Sequence, residues 1–321
     1  METRRRHHDR PRHGDPSALE ITHGETGGNE SAAALPPSTI YNEEYFLSGA
    51  CEGLTEFLNG ELSMVKRREF ELLGVRPGER VLDLGCGRGE ASAELLRAGA
   101  QPIALDYSAS AVKLTQASLD GRAVVIRGDA DALPFPAATF DRVLMGDVIE
   151  HLPWSIGVAT LREIQRVLVP GGQAVIHSSP NVWFVSLVMP PLRTVMRLLG
   201  RTEIVNRFNE YERLRHAMHV NELSPRSIGR LMRQAGVPAD TWVDGDVLRS
   251  GDSEWTASLS QSRSIRLLAR IAGTWPLRLA FGNDLYARIT APAPPAPTTT
   301  TTTTTTTIGA APPPAPGTAP T

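Results

Sequence analysis

The segment Asp83-Leu84-Gly85-Cys86-Gly87-Arg88-Gly89 sets three alternating glycines behind an acidic residue. Glycine lets a backbone turn sharply and approach a ligand with no side chain in the way. A helix directly behind such a turn offers free N–H groups and the positive end of its dipole to a negative group. Asp106 lies 21 residues after Gly85. A carboxylate at a neighbouring strand end can accept hydrogen bonds from both hydroxyls of a ribose. Tyr107 beside it offers a ring to stack on a base, or packs as a half-buried aromatic. Asp129, in Gly128-Asp129-Ala130, can accept from an exocyclic amino group, and Leu133 can cover the base. This is chemistry for holding a nucleoside-bearing ligand. The G-x-G-x-G spacing differs from the G-x-G-x-x-G of dinucleotide-binding loops, which disfavours a nicotinamide-dependent oxidoreductase.

A second polar group, Gly146-Asp147-Val148-Ile149-Glu150-His151-Leu152, follows an apolar run. A histidine is well matched to removing an acidic proton near pH 7. His151, directly behind the run, is therefore the candidate base, and orienting Glu150 or capping a helix is the other reading. His177 and His219 also fall at strand ends or in a variable stretch. His216-x-x-His219 is a pair without further ligands, so no metal site is expected. Cys86 reads as a small residue inside the glycine loop rather than a nucleophile.

Strands alternating with helices must position these groups. Arg80 to Leu84 (RVLDL) reads as a buried strand, with others at 103–106, 123–127, 140–146 (FDRVLMG), 173–177, 241–243 and 285–289. Helices are expected at about 89–98, from a Ser108 cap to about Leu119, and through Val158, Leu161, Ile164 and Leu168 until Pro170-Gly171-Gly172 stops the last of these. Ser224 caps another helix with Pro225 at its first position, and Gly236 closes it. Such alternation implies a mostly parallel sheet with helices on both faces, and ligands beyond the carboxyl ends of its strands.

The chain has 321 residues and a net charge of −2, with 33 Lys and Arg against 35 Asp and Glu. The near balance offers no electrostatic argument for a nucleic-acid partner. Two cysteines cannot form a disulfide framework or a structural zinc site. No apolar run approaches the roughly 20 residues that span a bilayer. The N-terminal arginines are followed by no apolar stretch, so a secretory leader is not expected and a cytoplasmic location is. Residues 1–38 and 291–321 read as disordered tails, the second with ten consecutive threonines from Thr298 to Thr307 and nothing to bury. Between them, 39–290 has a normal size for one elaborated α/β domain.

Within that domain, 181–223 forms an insert. Its apolar run 182–189 suits a pocket for a hydrophobic acceptor, a membrane-surface contact or a lid on the core, and Pro190-Pro191 is expected to break it. Residues 263–272 (RSIRLLARIA) have basic and apolar faces, suited to a membrane surface or to packing on the sheet.

Taken together, VLDLGCGRG, ALDYS, GDADALPFPAATFDRV and VLVPGGQAVI, with HSSPN at 177–181 and HVNELSPRSIGRLMRQAGV at 219–237, resemble the class I S-adenosylmethionine-dependent methyltransferases. The resemblance is to the small-molecule "type 11" group, which includes ubiquinone- and sterol-type enzymes, and covers roughly residues 40–290. It implies a Rossmann-like, doubly wound seven-stranded sheet of order 3-2-1-4-5-7-6 with the last strand antiparallel. It implies S-adenosyl-L-methionine as cofactor, with Asp83, Gly85 and Gly87 shaping the methionine site and Asp106 holding the ribose. Asp129 and the Ala130 backbone would bind adenine, beside Tyr107, and Asp147 would border the methionine amino group and the transferring methyl. Tyr41 or Tyr45 would close the site or simply pack there. The implied activity is methyl transfer to a small-molecule acceptor, most readily at oxygen, and a catalytically silent adenosylmethionine-binding protein is the alternative.

Overall fold

The computed structural model describes residues 35–48, 51–244, 267 and 270–293. The arginine-histidine run near the N-terminus and the threonine run lie outside these residues, as does most of 263–272.

Seven strands form one sheet: β1 Arg80–Leu84, β2 Gln101–Asp106, β3 Val124–Arg127, β4 Phe140–Gly146, β5 Leu168–Ser178, β6 Ala239–Val243 and β7 Leu285–Thr290. Their order is β3-β2-β1-β4-β5-β7-β6. β7 runs antiparallel to both of its neighbours, while β1 to β5 pair in parallel. The order and the reversed strand match the expectation.

The period-2 geometry of strands splits the core in two. Leu82, Val143, Met145 and Ile176 face one layer, and Val81, Leu144 and Val175 face the other. Parallel strands covered on both faces must be apolar on both, which accounts for the run VLM in β4 and, apart from the site residue Asp83, for VLDL in β1. On the first face lie α6 (Trp154–Val167) and α9 (Pro225–Ala235), through Leu161, Ile164, Ile228 and Leu231. On the second lie α3 (Met64–Leu73) and α4 (Glu90–Arg97), through Leu73 and Leu95. α5 (Ala109–Leu119) starts at Ser108, whose hydroxyl accepts from the Ser110 and Ala111 N–H groups. At α9, Ser224 and Ser227 form a capping box and Gly236 closes the helix in the left-handed conformation, as its caps predict.

Two boundaries differ from expectation. α6 ends at Val167, and Leu168 already pairs with Phe140 in the sheet. Apolar spacing cannot separate a last helical residue from a first buried strand residue, because both point into the core. The residues between Leu168 and Gln173 then bulge, since Phe140 pairs with the first and Arg142 with the second. In the insert, Pro190-Pro191 begins a helix instead of ending one. A π-helical turn, Phe184–Val188, runs into α7 (Met189–Leu198), with the prolines in its first turn, where no N–H is required. α8 (Thr202–Met218) returns the chain to the sheet. The N-terminal segment adds two short helices, α1 (Glu43–Phe46) and α2 (Leu54–Leu58), and α10 (Arg278–Phe281) precedes β7. Among the described residues, no helix is long and apolar enough to cross a membrane.

Candidate functional site

A cavity of about 870 Å³ opens at the carboxyl ends of β1, β2, β3 and β4. Asp83, Gly85, Gly87, Asp106, Tyr107, Asp129, Ala130, Asp147 and His151 all border it, as do Tyr41 and Tyr45. Leu133 does not. It is buried in the core below, and its N–H donates to Glu163 Oε2 at 2.9 Å. The apolar position read as a cover for a base is a core contact, because the Leu-Pro-Phe segment turns inward.

The glycine loop is held from three sides. Gly85 has φ 82°, and a Cβ there would stand 2.2 Å from Val148 Cγ2. Only glycine lets the loop lie against the turn after β4. The Gly87 N–H donates to Asp106 Oδ2 at 3.0 Å, and the Ser108 N–H donates to Asp106 Oδ1 at 2.8 Å. Asp106 thus ties the ends of β1 and β2 together. Burial raises its carboxyl above the usual range, against the pull of these N–H donors. Asp83 accepts from the Ser92 hydroxyl at 2.6 Å, and burial pushes it up to about 6. Arg88 secures the N-terminal segment by donating to the Phe46 carbonyl at 3.2 Å, and is itself held at the start of α4 by donating from Nε to Glu90 Oε1 at 2.9 Å. The Ser108 hydroxyl donates to the Tyr41 carbonyl at 2.5 Å.

Beneath Asp147 lies a buried charge cluster that spacing does not reveal. His177 Nδ1 is 3.0 Å from Asp147 Oδ1 and 3.2 Å from Glu69 Oε1, and its Nε2 is 3.4 Å from Asp284 Oδ1. With carboxylates at both ring nitrogens, His177 is held protonated well above its ordinary range despite its burial, and Asp147 is drawn down mainly by His177. Lys66 Nζ donates to Glu69 Oε2 at 3.2 Å and lies 4.0 Å from Asp147 Oδ2. Three carboxyl side chains face two cationic ones, so the cluster has a formal surplus of one negative charge. Glu69 fits because residue 146 is glycine: a Cβ there would stand 2.3 Å from Glu69 Oε1. Asp147 itself has φ 54°, a conformation that costs a non-glycine residue about 1 kcal/mol or more.

A second cluster unites Glu150, His151 and His219. The His151 and His219 rings meet edge to face at 4.8 Å. His151 Nδ1 is 3.1 Å from the Met218 carbonyl and 3.1 Å from the Tyr41 hydroxyl. A carbonyl only accepts, so Nδ1 carries the proton of the neutral ring and Nε2 keeps its lone pair. Burial and the neighbouring His219 push His151 down to about 4. Burial and Asp147 push Glu150 up to about 7, and its Oε2 has no hydrogen-bond partner. The Glu150 carbonyl accepts from the Val220 and Asn221 N–H groups at 3.0 and 2.9 Å, which brings His219 to the site. His216 stays outside. The three groups offer ligand atoms within 4.8 Å of one another, as do Glu69, Asp147 and His177, a spacing a cation can bridge. In the latter set, Lys66 already supplies positive charge.

The far wall is apolar and comes from the insert and the segment before β7: Phe184, Met189, Leu192, Phe208, Leu277 and Phe281.

Comparison with known proteins finds similarity to methyltransferases. A family model described as a methyltransferase domain matches residues 81–172, the stretch from β1 into β5. A demethylmenaquinone methyltransferase of Beutenbergia cavernae is 39% identical over 111 residues, covering 35% of this chain and 45% of the relative. One from Bacillus licheniformis is 30% identical over 158 residues, covering 47% of this chain and 67% of the relative. Among solved structures, phosphoethanolamine N-methyltransferase 2 of Haemonchus contortus, in complex with S-adenosyl-L-methionine, superposes with a TM-score of 0.51 at 17% identity, covering 80% of this chain and 57% of that one. This likeness concerns the fold. The chain spans 45% to 60% of the length of the first curated relatives it matches. With the strand order, the glycine loop and the aligned segment all in agreement, the chain belongs to the class I S-adenosylmethionine-dependent methyltransferase family.

Proposed function

We propose that this protein transfers the methyl group of S-adenosylmethionine to a small apolar acceptor, and that residues 39–290 form the methyltransferase domain. The observation that carries this reading is the division of one cavity into a polar half at the strand ends and an apolar half under the insert. The polar half suits the cofactor. Asp106 offers a carboxylate for a ribose, and Tyr107, Asp129 and Ala130 line the adjoining stretch for an adenine. The surplus negative charge around Asp147 suits an ammonium group near the glycine loop. A cavity of about 870 Å³ lies in the upper part of the range of ligand pockets, roughly 300–1,000 Å³, and leaves room for an acceptor.

When bound, S-adenosylmethionine supplies an activated sulfonium methyl for in-line displacement. The chain's own task is to orient, exclude water and take a proton. Positioning alone can supply on the order of 7–11 kcal/mol in favourable cases. An acceptor with an acidic proton, such as a hydroxyl attacking through oxygen, needs a base. We assign this proton to the Glu150–His151 pair. His151 remains the sequence-based candidate and presents its Nε2 lone pair, while Glu150, poised near pH 7, has the better-matched basicity. The names of the relatives favour a ring of the demethylmenaquinone kind as acceptor class, consistent with the apolar wall.

Calorimetric titration with S-adenosylhomocysteine, with NADH as the paired control, tests the reading. Micromolar binding of the first and none of the second is expected. Binding of NADH alone would overturn it in favour of an oxidoreductase. Binding of S-adenosylhomocysteine without methyl transfer to any quinone or phenol would favour the catalytically silent alternative.

A further inference from the structure

We propose that the face around the cavity mouth docks on a membrane surface rich in anionic lipid, so that an apolar acceptor enters from the bilayer. The proposal rests on the reading of the apolar half as the acceptor side. Two segments remote in sequence build this face. In the first, the π-helical turn and α7 leave Leu187, Val195, Leu198 and Leu199 exposed, Leu198 at 83%. In the second, Leu267, Ile271, Trp275 and Leu277 are exposed, Trp275 at 73%. The segments meet where α10 packs on the π-helical turn.

The patch is continuous with the cavity. Val188, Met189 and Leu192 of the first segment and Ile271 and Leu277 of the second line its wall. An apolar acceptor therefore passes from the exposed patch to the site along apolar surface. Large side chains left in water at this density mark an interaction surface rather than ordinary surface scatter.

Charge selects the partner. Neither 182–202 nor 267–283 contains an aspartate or glutamate. Arg197, Arg201 and Arg270 stand exposed among the apolar side chains. The whole chain has a net charge of −2, so the basic character is local and would orient the molecule mouth-first towards an anionic leaflet. Apolar and tryptophan side chains interleaved with arginine are the composition of a surface that lies at the lipid headgroup level. A symmetric contact with a second copy would set these arginines against one another, which favours lipid over self-association.

The test is sedimentation of the full chain with vesicles of phosphatidylcholine alone and with about 30 mol % phosphatidylglycerol, where each arginine near the surface contributes about fivefold to binding. The same preparation is titrated with S-adenosylhomocysteine. Expected are binding at least about tenfold stronger to the anionic vesicles and its loss in high salt. The double variant Leu198→Glu/Trp275→Ser should abolish vesicle binding and leave S-adenosylhomocysteine binding unchanged. Arg197→Glu/Arg201→Glu should remove the preference for anionic lipid. Failure of the wild type to bind either vesicle, or retention of binding by the Leu198→Glu/Trp275→Ser variant, overturns the docking surface. So does a dimer, with no vesicle binding, that this variant dissociates. Vesicle binding without S-adenosylhomocysteine binding would instead overturn the cofactor reading and leave the docking surface standing.

Discussion

The two halves of the cavity are built by opposite means. The glycine-loop half uses short turns at the ends of strands and ties them by buried hydrogen bonds, as Asp106 does for Gly87 and Ser108. The apolar half uses helices from the insert and the segment before β7, which contribute apolar side chains and leave others exposed. A ligand with fixed polar groups needs a rigid frame, and a class of apolar acceptors needs a wall that can change. One scaffold can therefore keep its cofactor chemistry while the acceptor side varies.

Four substitutions and one withdrawal sharpen this contrast. The largest expected effect is at the junction of the halves. Glu150→Gln should lower kcat by about 10³-fold, within the range for removing a general base, and leave S-adenosylhomocysteine affinity nearly unchanged. A base acts when deprotonated, and Glu150 is pushed up to about 7. Wild-type kcat should therefore rise with pH through about 7 and level off above it, and the variant should lose this rise. A retained profile would move the proton to another group.

Next is the frame itself. His177→Ala leaves Glu69, Asp147 and Asp284 without their shared cation. Removing one partner from a buried ionic cluster costs about 3–5 kcal/mol, visible as a large fall in the denaturant midpoint. A midpoint equal to wild type would show that the cluster does not hold the frame. Asp106→Ala removes a charged acceptor from two N–H donors and from the ribose position. At about 1.5–3 kcal/mol per such bond, S-adenosylhomocysteine binding should weaken about 100-fold by calorimetry. Unchanged binding would refute the assignment of the polar half.

Smaller effects belong to the apolar wall. Leu192→Ala removes about three carbons of surface at roughly 0.8 kcal/mol per methylene. It should raise the KM for an apolar quinone by about tenfold or more with S-adenosylhomocysteine affinity unmoved. A change in both would mean that the halves are not separable. The smallest effect is none: a chelator should leave turnover unchanged if Glu150, His151 and His219 handle a proton. Loss of turnover, restored by a divalent ion, would reassign that cluster to a cation.

Much of the frame was legible before folding. β1, β4, α5 and α9 are readable to their ends or nearly so, because their limits are written in local chemistry: the glycine loop after Leu84, Gly146 at the end of β4, the Ser108 cap, and the Ser224-Pro225 start with Gly236 behind it. The nine candidate site residues border one cavity for the same reason, since each lies at or just beyond the carboxyl end of one of the parallel strands β1 to β4. Leu168 and Leu133 differ from expectation because an apolar residue in the core looks alike at a helix end, in a strand or under a loop. Pro190-Pro191 begins α7 where a break is expected, because proline both ends and begins helices and only the packed insert distinguishes them.

Family resemblance carries the strand order, and the chain's local chemistry carries the glycine loop and the carboxylates at the strand ends. The loop and the carboxylate positions depend on backbone conformation and side-chain period within a few residues. Which charges meet depends on the packed fold. Glu69 of α3 reaches His177 of β5 across 108 positions of chain because Gly146 leaves room between them, and Asp284 closes the same imidazole from the start of β7. The apolar wall arises in the same way, from the insert and the segment before β7 packing side by side. Long-range juxtaposition of this kind has no period to read, since it arises from the crossover connections of the sheet and from the shape of what is packed between them.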